Sequence, residues 1–122
     1  MTKNDKLLCW VYGLISVAAL FATWTNNLAF FMQPENREIT SFIRALYVNH
    51  AAASIANDII FYCLAGFIFI VHEGKRLAMR YVWVYILLSM MVAVAVIFPL
   101  FLIARQVALS KQRVSAGLNA AN

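Results

Sequence analysis

Three long apolar stretches dominate the chain, at about 7–32, 51–72 and 81–104, and each meets the ~20 residues needed to cross a ~30 Å hydrocarbon core. A segment in that solvent must satisfy its own backbone hydrogen bonds, so the stretches predict helices. Their continuous apolar character excludes the alternating pattern of barrel strands. With 64% hydrophobic and 12% charged among 122 residues, and a mean hydropathy of +0.77, the chain is too apolar and charge-poor for a soluble domain of its size. The expected class is an all-α integral membrane protein with three transmembrane helices and a short interfacial helix between the first two, in one domain over 1–122.

Lys3 and Lys6 precede the first stretch and Ala18, Ala19 and Ala22 are small, a combination that secretory signals share. The apolar run is nevertheless long for a signal, and it is read as a true helix. Pro34 should stop that helix, because the residue before a proline is driven out of the α region. Phe42, Ile43, Leu46 and Tyr47 then recur at helical spacing opposite Arg44. This predicts an interfacial helix over about 40–48, capped by Thr40 or Ser41 and lying flat on a membrane. Asn49 is suited to cap the second span. The connection from Glu73 to Arg80 is short and basic, with Lys75 and Arg76, and Gly74 is expected to supply its break. Tyr81, Trp83 and Tyr85 form an aromatic belt at the start of the third span, and Pro99 is expected to kink that span. The small, polar tail over 108–122 reads as flexible.

Asp58 is the residue that raises a functional question. It lies well inside the second stretch, where an ionised group in hydrocarbon requires a partner. Consecutive spans are antiparallel, so Asn26 and Asn27 near the end of the first fall at the depth of Asn57 and Asp58 near the start of the second. Gly13, Ser16, Thr23 and Asn27 share one stripe of the first helix. Ser54, Asp58 and Ala65 share one of the second. The third span contributes at the same end, where Arg105 emerges beyond Pro99 and can reach toward Asp58. The predicted constellation is therefore Thr23, Trp24, Asn26, Asn27, Ser54, Asn57, Asp58 and Arg105, serving either as a ligand site or as a packing lock in which the side chains satisfy one another.

Other chemistry is thinly supported. His50 and His72 stand about 33 Å apart along one helix, and Glu73 stands about 22 Å from Asp58, so neither pair can share a metal or act together as acid and base. Glu73 is expected to cap or to pair with Lys75 or Arg76. Cys9 and Cys63 show no metal-ligand spacing and are read as packing residues. No nucleotide loop, metalloprotease signature or nucleophile elbow is present, so no catalytic residue, metal or cofactor is assigned. The net charge of +5 comes from loop lysines and arginines, which suit anionic lipid headgroups rather than nucleic acid. For three crossings the basic residues divide evenly. Lys3, Lys6, Lys75, Arg76 and Arg80 fall on one side, and Arg37, Arg44, Arg105, Lys111 and Arg113 on the other. The compact basic loop favours a cytoplasmic amino terminus.

The segments NHAAASIANDIIF, EGKRLAMRYVWVY and FPLFLIAR resemble the bacterial membrane-protein family known as domain of unknown function 2834 (DUF2834). The shared pattern falls on Asn49, Ala52, Ser54, Asp58, Glu73, Arg76, Arg80, Trp83, Pro99, Leu100, Phe101, Leu102 and Arg105, with Trp24 and Asn27 in the first span. Gln106 departs from it, since an acidic residue often stands there. The resemblance implies a small multi-pass protein of a bacterial inner membrane and implies no activity. The favoured reading is a non-catalytic subunit or accessory protein that contacts membrane lipids and packs as a homo-oligomer or within a larger membrane complex. The alternatives are an isoprenoid- or lipid-modifying enzyme using Asp58 as general acid, and a small proton-coupled transporter.

Overall fold

A capping box opens the first helix. Thr2 Oγ1 accepts the Asp5 amide at 3.1 Å while the Asp5 carboxylate accepts the Thr2 amide at 2.9 Å, so two donors that would otherwise be orphaned are satisfied reciprocally. The computed structural model describes residues 1–121 and is all-helical over them. The helices are α1 (Lys3–Phe31), α2 (Ile39–Leu46), α3 (His50–Arg76), α4 (Val82–Met91) and α5 (Val94–Ala120), with a 3-10 turn at Pro34–Asn36. Helices α1, α3 and α5 are long and apolar enough to cross a membrane. The apolar stretches thus become helices as expected, and Pro34 follows the end of α1. Asn49 caps α3, its side chain accepting the Ala52 amide at 2.8 Å. Helix α2 begins at Ile39 with Glu38 before it, so neither Thr40 nor Ser41 caps it.

The third apolar stretch departs most from expectation. Instead of one helix kinked at Pro99 it forms two, α4 and α5, separated at Val92–Ala93, where Ala93 is fully extended (φ 176°, ψ 142°). The chain reverses there. Tyr85 of α4 packs edge-on against Phe101 of α5 at 5.4 Å, and Arg105 of α5 reaches Glu73 at the end of α3, beside which α4 begins. The pair is an antiparallel helical hairpin with both legs rooted at one end of the molecule. Pro99 sits in the second turn of α5, where its missing amide forfeits one helical bond, to Ala95, and the helix continues.

Neither glycine nor proline marks the reversal, and tertiary partners hold it. Trp24 Nε1 donates to the Val92 carbonyl at 3.0 Å, and Ser16 Oγ donates to the Val96 carbonyl at 2.7 Å. Both donors come from α1, which runs antiparallel to α5 along most of its length. The Ala93 carbonyl receives the amides of Val96 and Ile97, closing the first turn of α5.

Gly74 does not break α3. It lies buried inside the helix, and a Cβ there would overlap the Val82 side chain. Its role is to let the first turn of α4 approach α3. The left-handed positions of the α3–α4 connection fall instead on Ala78 (φ 50°) and Tyr81 (φ 59°). Ile70 and Phe101, both fully buried, are at the centre of the core, with Leu77, Val96 and Ile97 around them. Phe69, Phe98 and Tyr85 surround Phe101 with edge and stacked contacts.

The tail is helical over most of its length. Helix α5 runs on to Ala120, because Gln106 and Arg113 are tied to Asp5 of α1 and the intervening residues are good helix formers. Asn122, the last residue of the expected flexible tail, lies outside the described residues.

Candidate functional site

The hairpin rearranges the predicted polar constellation. Arg105 Nε meets Glu73 Oε2 at 2.6 Å, while Arg76 meets Glu73 Oε1 at 3.2 Å. Glu73 therefore pairs with Arg76 as expected and also with an arginine expected elsewhere. Arg105 does not approach Asp58, which lies fifteen residues up α3, about 22 Å away by helical rise. The depth comparison that joined them assumed a third crossing, and the reversal at Val92–Ala93 returns Arg105 to the end where α3 finishes.

The remaining predicted residues divide by what they face. Asn26 Nδ2 folds back onto the Ala22 carbonyl at 2.8 Å, and neighbouring Thr25 does the same onto Phe21 at 2.6 Å. Asn57 Oδ1 accepts the Tyr47 hydroxyl at 3.0 Å, tying the end of α2 to α3. Ser54 and Asp58 are exposed, and Asp58 has neither hydrogen bond nor ion pair among the described residues. Asp58 stands two residues from buried Ala56, a rotation of about 200° on the helix, so it points away from the core. Thr23, Trp24 and Asn27 do converge, on a cavity.

That cavity, of about 710 Å³, occupies the space above the tip of the hairpin. Helices α1 and α3 are held apart by α4 and α5 and make at most glancing contact with each other. The hairpin legs fill the gap between them at one end only. Thr23, Trp24, Asn27 and Phe31 form the α1 wall, and Ile59, Ile60, Cys63, Leu64 and Phe67 the α3 wall. Residues Ser89 to Ala95 make the floor, and Ile39 and Phe42 of α2 roof the cavity with Phe31. The roof is an aromatic cluster, with Phe42 stacked on Phe31 at 5.6 Å and edge-on to Phe30 at 5.4 Å. Among the described residues no carboxylate, amine or guanidinium lines the cavity. Asp58 is absent from the lining although the next two residues belong to it. The Ser89 hydroxyl is turned onto the Tyr85 carbonyl at 2.7 Å, and the Trp24 indole is engaged with Val92. Thr23 and Asn27 make no side-chain hydrogen bond among the described residues. The stripe of Gly13, Ser16, Thr23 and Asn27 thus faces α5 below and the cavity above.

At the opposite end two carboxylates tie the helices together. Arg105 and Gln106 are consecutive on α5 and reach in opposite directions, Arg105 to Glu73 of α3 and Gln106 to Asp5 of α1 at 2.6 Å. Arg113 adds a 3.3 Å contact to Asp5, and the Arg105 guanidinium lies 5.7 Å over the Phe69 ring. Sequence reasoning missed Asp5, Gln106 and Arg113. The Thr2–Asp5 spacing could have marked Asp5 as part of a helix start, but nothing in the sequence indicates its long-range partners. The reversal also regroups the charges. Lys3, Lys6, Lys75, Arg76, Arg80, Arg105, Lys111 and Arg113 belong to the segments at this end, and Arg37 and Arg44 to those at the other. The even division expected for three crossings becomes eight against two.

A family model matches residues 11–107, and its description is Protein of unknown function DUF2834. No curated protein and no solved structure matches the chain.

Proposed function

We propose, from the premise that the chain belongs to the DUF2834 family, that it is a non-catalytic subunit of a bacterial inner membrane, packing through the outer face of α3 against a second copy or a larger membrane complex. In this reading α1 and α3 cross the bilayer and the α4–α5 hairpin is re-entrant. Its α5 leg starts beside Ser16, about midway along α1, so the apolar run from Val94 to Arg105 begins at mid-depth. The short helix α2 rests at the interface opposite the basic end. The eight-to-two distribution of lysine and arginine supports a cytoplasmic location for both the amino terminus and the segment after Arg105. The membrane lipids it meets there are anionic at the basic face.

The observation that carries the accessory role is Asp58, exposed and without an ion-pair partner among the described residues on a largely apolar helix. A carboxylate facing lipid is costly and calls for protein cover. Its absence from the cavity lining favours association over acid catalysis on a molecule bound there. The test is the assembly state of the full chain in nanodiscs, by native mass spectrometry and by affinity capture from crosslinked membranes. Wild type should run as an assembly, Asp58→Leu should dissociate it, and the thermal midpoint of the dissociated Asp58→Leu protomer should be unchanged or higher. A wild-type monomer that captures nothing, or an assembly indifferent to Asp58→Leu and Asp58→Asn, overturns the reading.

A further inference from the structure

We infer that the roofed cavity between α1 and α3 is a binding site for an uncharged lipid with one long hydrocarbon chain and a small hydroxyl or carbonyl head, held by Asn27 and Thr23. The observations behind this are separate from those behind the accessory role. At about 710 Å³ the cavity lies inside the range of small-molecule sites, which are mostly apolar with a few convergent polar groups. Its lining has that character, with Trp24, Phe31, Phe42 and Phe67 supplying flat apolar area and Met90 and Met91 an adaptable floor.

The head is specified by contrast along one helix. Thr25 and Asn26 satisfy themselves on carbonyls of their own helix, whereas Thr23 and Asn27, one turn apart on the same face, do not and line the cavity. Amide and hydroxyl groups in an apolar setting are stabilised by any partner that completes their hydrogen bonds. A hydroxyl or carbonyl oxygen does so. A phosphate, carboxylate or ammonium would enter without a counter-charge, because no ionised side chain lines the walls.

The shape selects a chain over a protein helix. A crossing helix from a partner needs a clear path along the membrane normal, and here residues of α2 line one end of the cavity and the hairpin tip lines the other. What remains is lateral entry between α1 and α3, which suits a flexible hydrocarbon chain. Both isoprenoid and acyl chains meet this description, and they are separated by experiment.

The test uses the full chain in phosphatidylcholine nanodiscs and a diazirine-bearing oleyl alcohol as photoprobe, with adducts mapped by peptide mass spectrometry. Adducts should concentrate in the 59–67 and 89–95 segments. Unlabelled oleyl alcohol or a polyprenol should compete, the stronger of the two naming the chain type, while oleate should not. Leu64→Trp, which fills the cavity, should abolish cavity labelling, and Asn27→Leu should weaken it about tenfold, the loss of one hydrogen bond of ~1.4 kcal/mol. Thermal midpoints of both variants serve as fold controls, and Asn27→Leu at the open end keeps the test valid should Leu64→Trp misfold. Labelling spread over outward residues such as Leu14 and Phe61, indifference to both variants, equal competition by oleate, or a crosslink from a second copy inside the cavity would each overturn the inference.

Discussion

The two ends of this molecule are built from the same kind of helix and behave as opposites. At the basic end α1, α3 and both hairpin legs stand side by side, Ile70 and Phe101 are fully buried, and Asp5 and Glu73 each hold groups from a different helix. At the other end the hairpin legs do not reach, a cavity separates α1 from α3 beneath the short α2, and Ala56 is the one buried residue in the first half of α3. The carboxylates follow the same division. Asp5 and Glu73 are paired, while Glu35, Glu38 and Asp58 form no ion pair among the described residues. The lesson is that packing density here depends on where a segment turns and hardly at all on how apolar it is.

The sharpest way to break this contrast is a matched pair of phenylalanines. Phe101→Ala at the packed end should cost about 3–5 kcal/mol. Phe61→Ala on the exposed face of α3, where the ring is 70% exposed, should change stability by less than ~0.5 kcal/mol. Reversible unfolding in mixed micelles measures both, and equal losses would erase the distinction between the two ends. Gly74→Ala tests the contact between helix starts and should destabilise by about 1–3 kcal/mol through overlap with Val82. Adding Val82→Ala in the same chain should recover part of that loss, as a double-mutant cycle will report. The smallest loss among the buried contacts is expected at the boundary between the ends. Trp24→Phe leaves the Val92 carbonyl without its donor and should cost about 1 kcal/mol. It should also raise the reactivity of a cysteine introduced at Ala93, measured with a maleimide.

Much of the frame was readable from residue order. Three apolar stretches, the stop at Pro34, the Asn49 cap and the α1 stripe from Gly13 to Asn27 all correspond to features of the structure. The reversal at Val92–Ala93 was not readable, for a definite reason. The run from Tyr81 to Ala104 is as apolar as a single crossing, and the turn is held by Trp24 and Ser16, about seventy to eighty positions earlier. Local breakers pointed elsewhere. Pro99 stays inside α5 and Gly74 inside α3, each in a packing position. Everything that followed from a third crossing moved with it, including the partner of Arg105 and the balance of charge. The cluster around Asp58 does not form because Ser54 and Asp58 face outward and Asn26 folds onto its own helix, and what survives of it is Thr23, Trp24 and Asn27 around the cavity.

The hairpin turn has a consequence for how the protein is made. Its carbonyls at Val92 and Val96 are satisfied by α1, and Glu73 of α3 receives Arg105 just after the hairpin's apolar run. The hairpin therefore leaves the ribosome after α1 and α3, the two helices it depends on. It should enter as a pre-paired loop docking into a waiting cleft, so that a chain ending at Met91 would still insert α1 and α3, whereas a chain lacking α1 would leave the hairpin exposed to proteolysis.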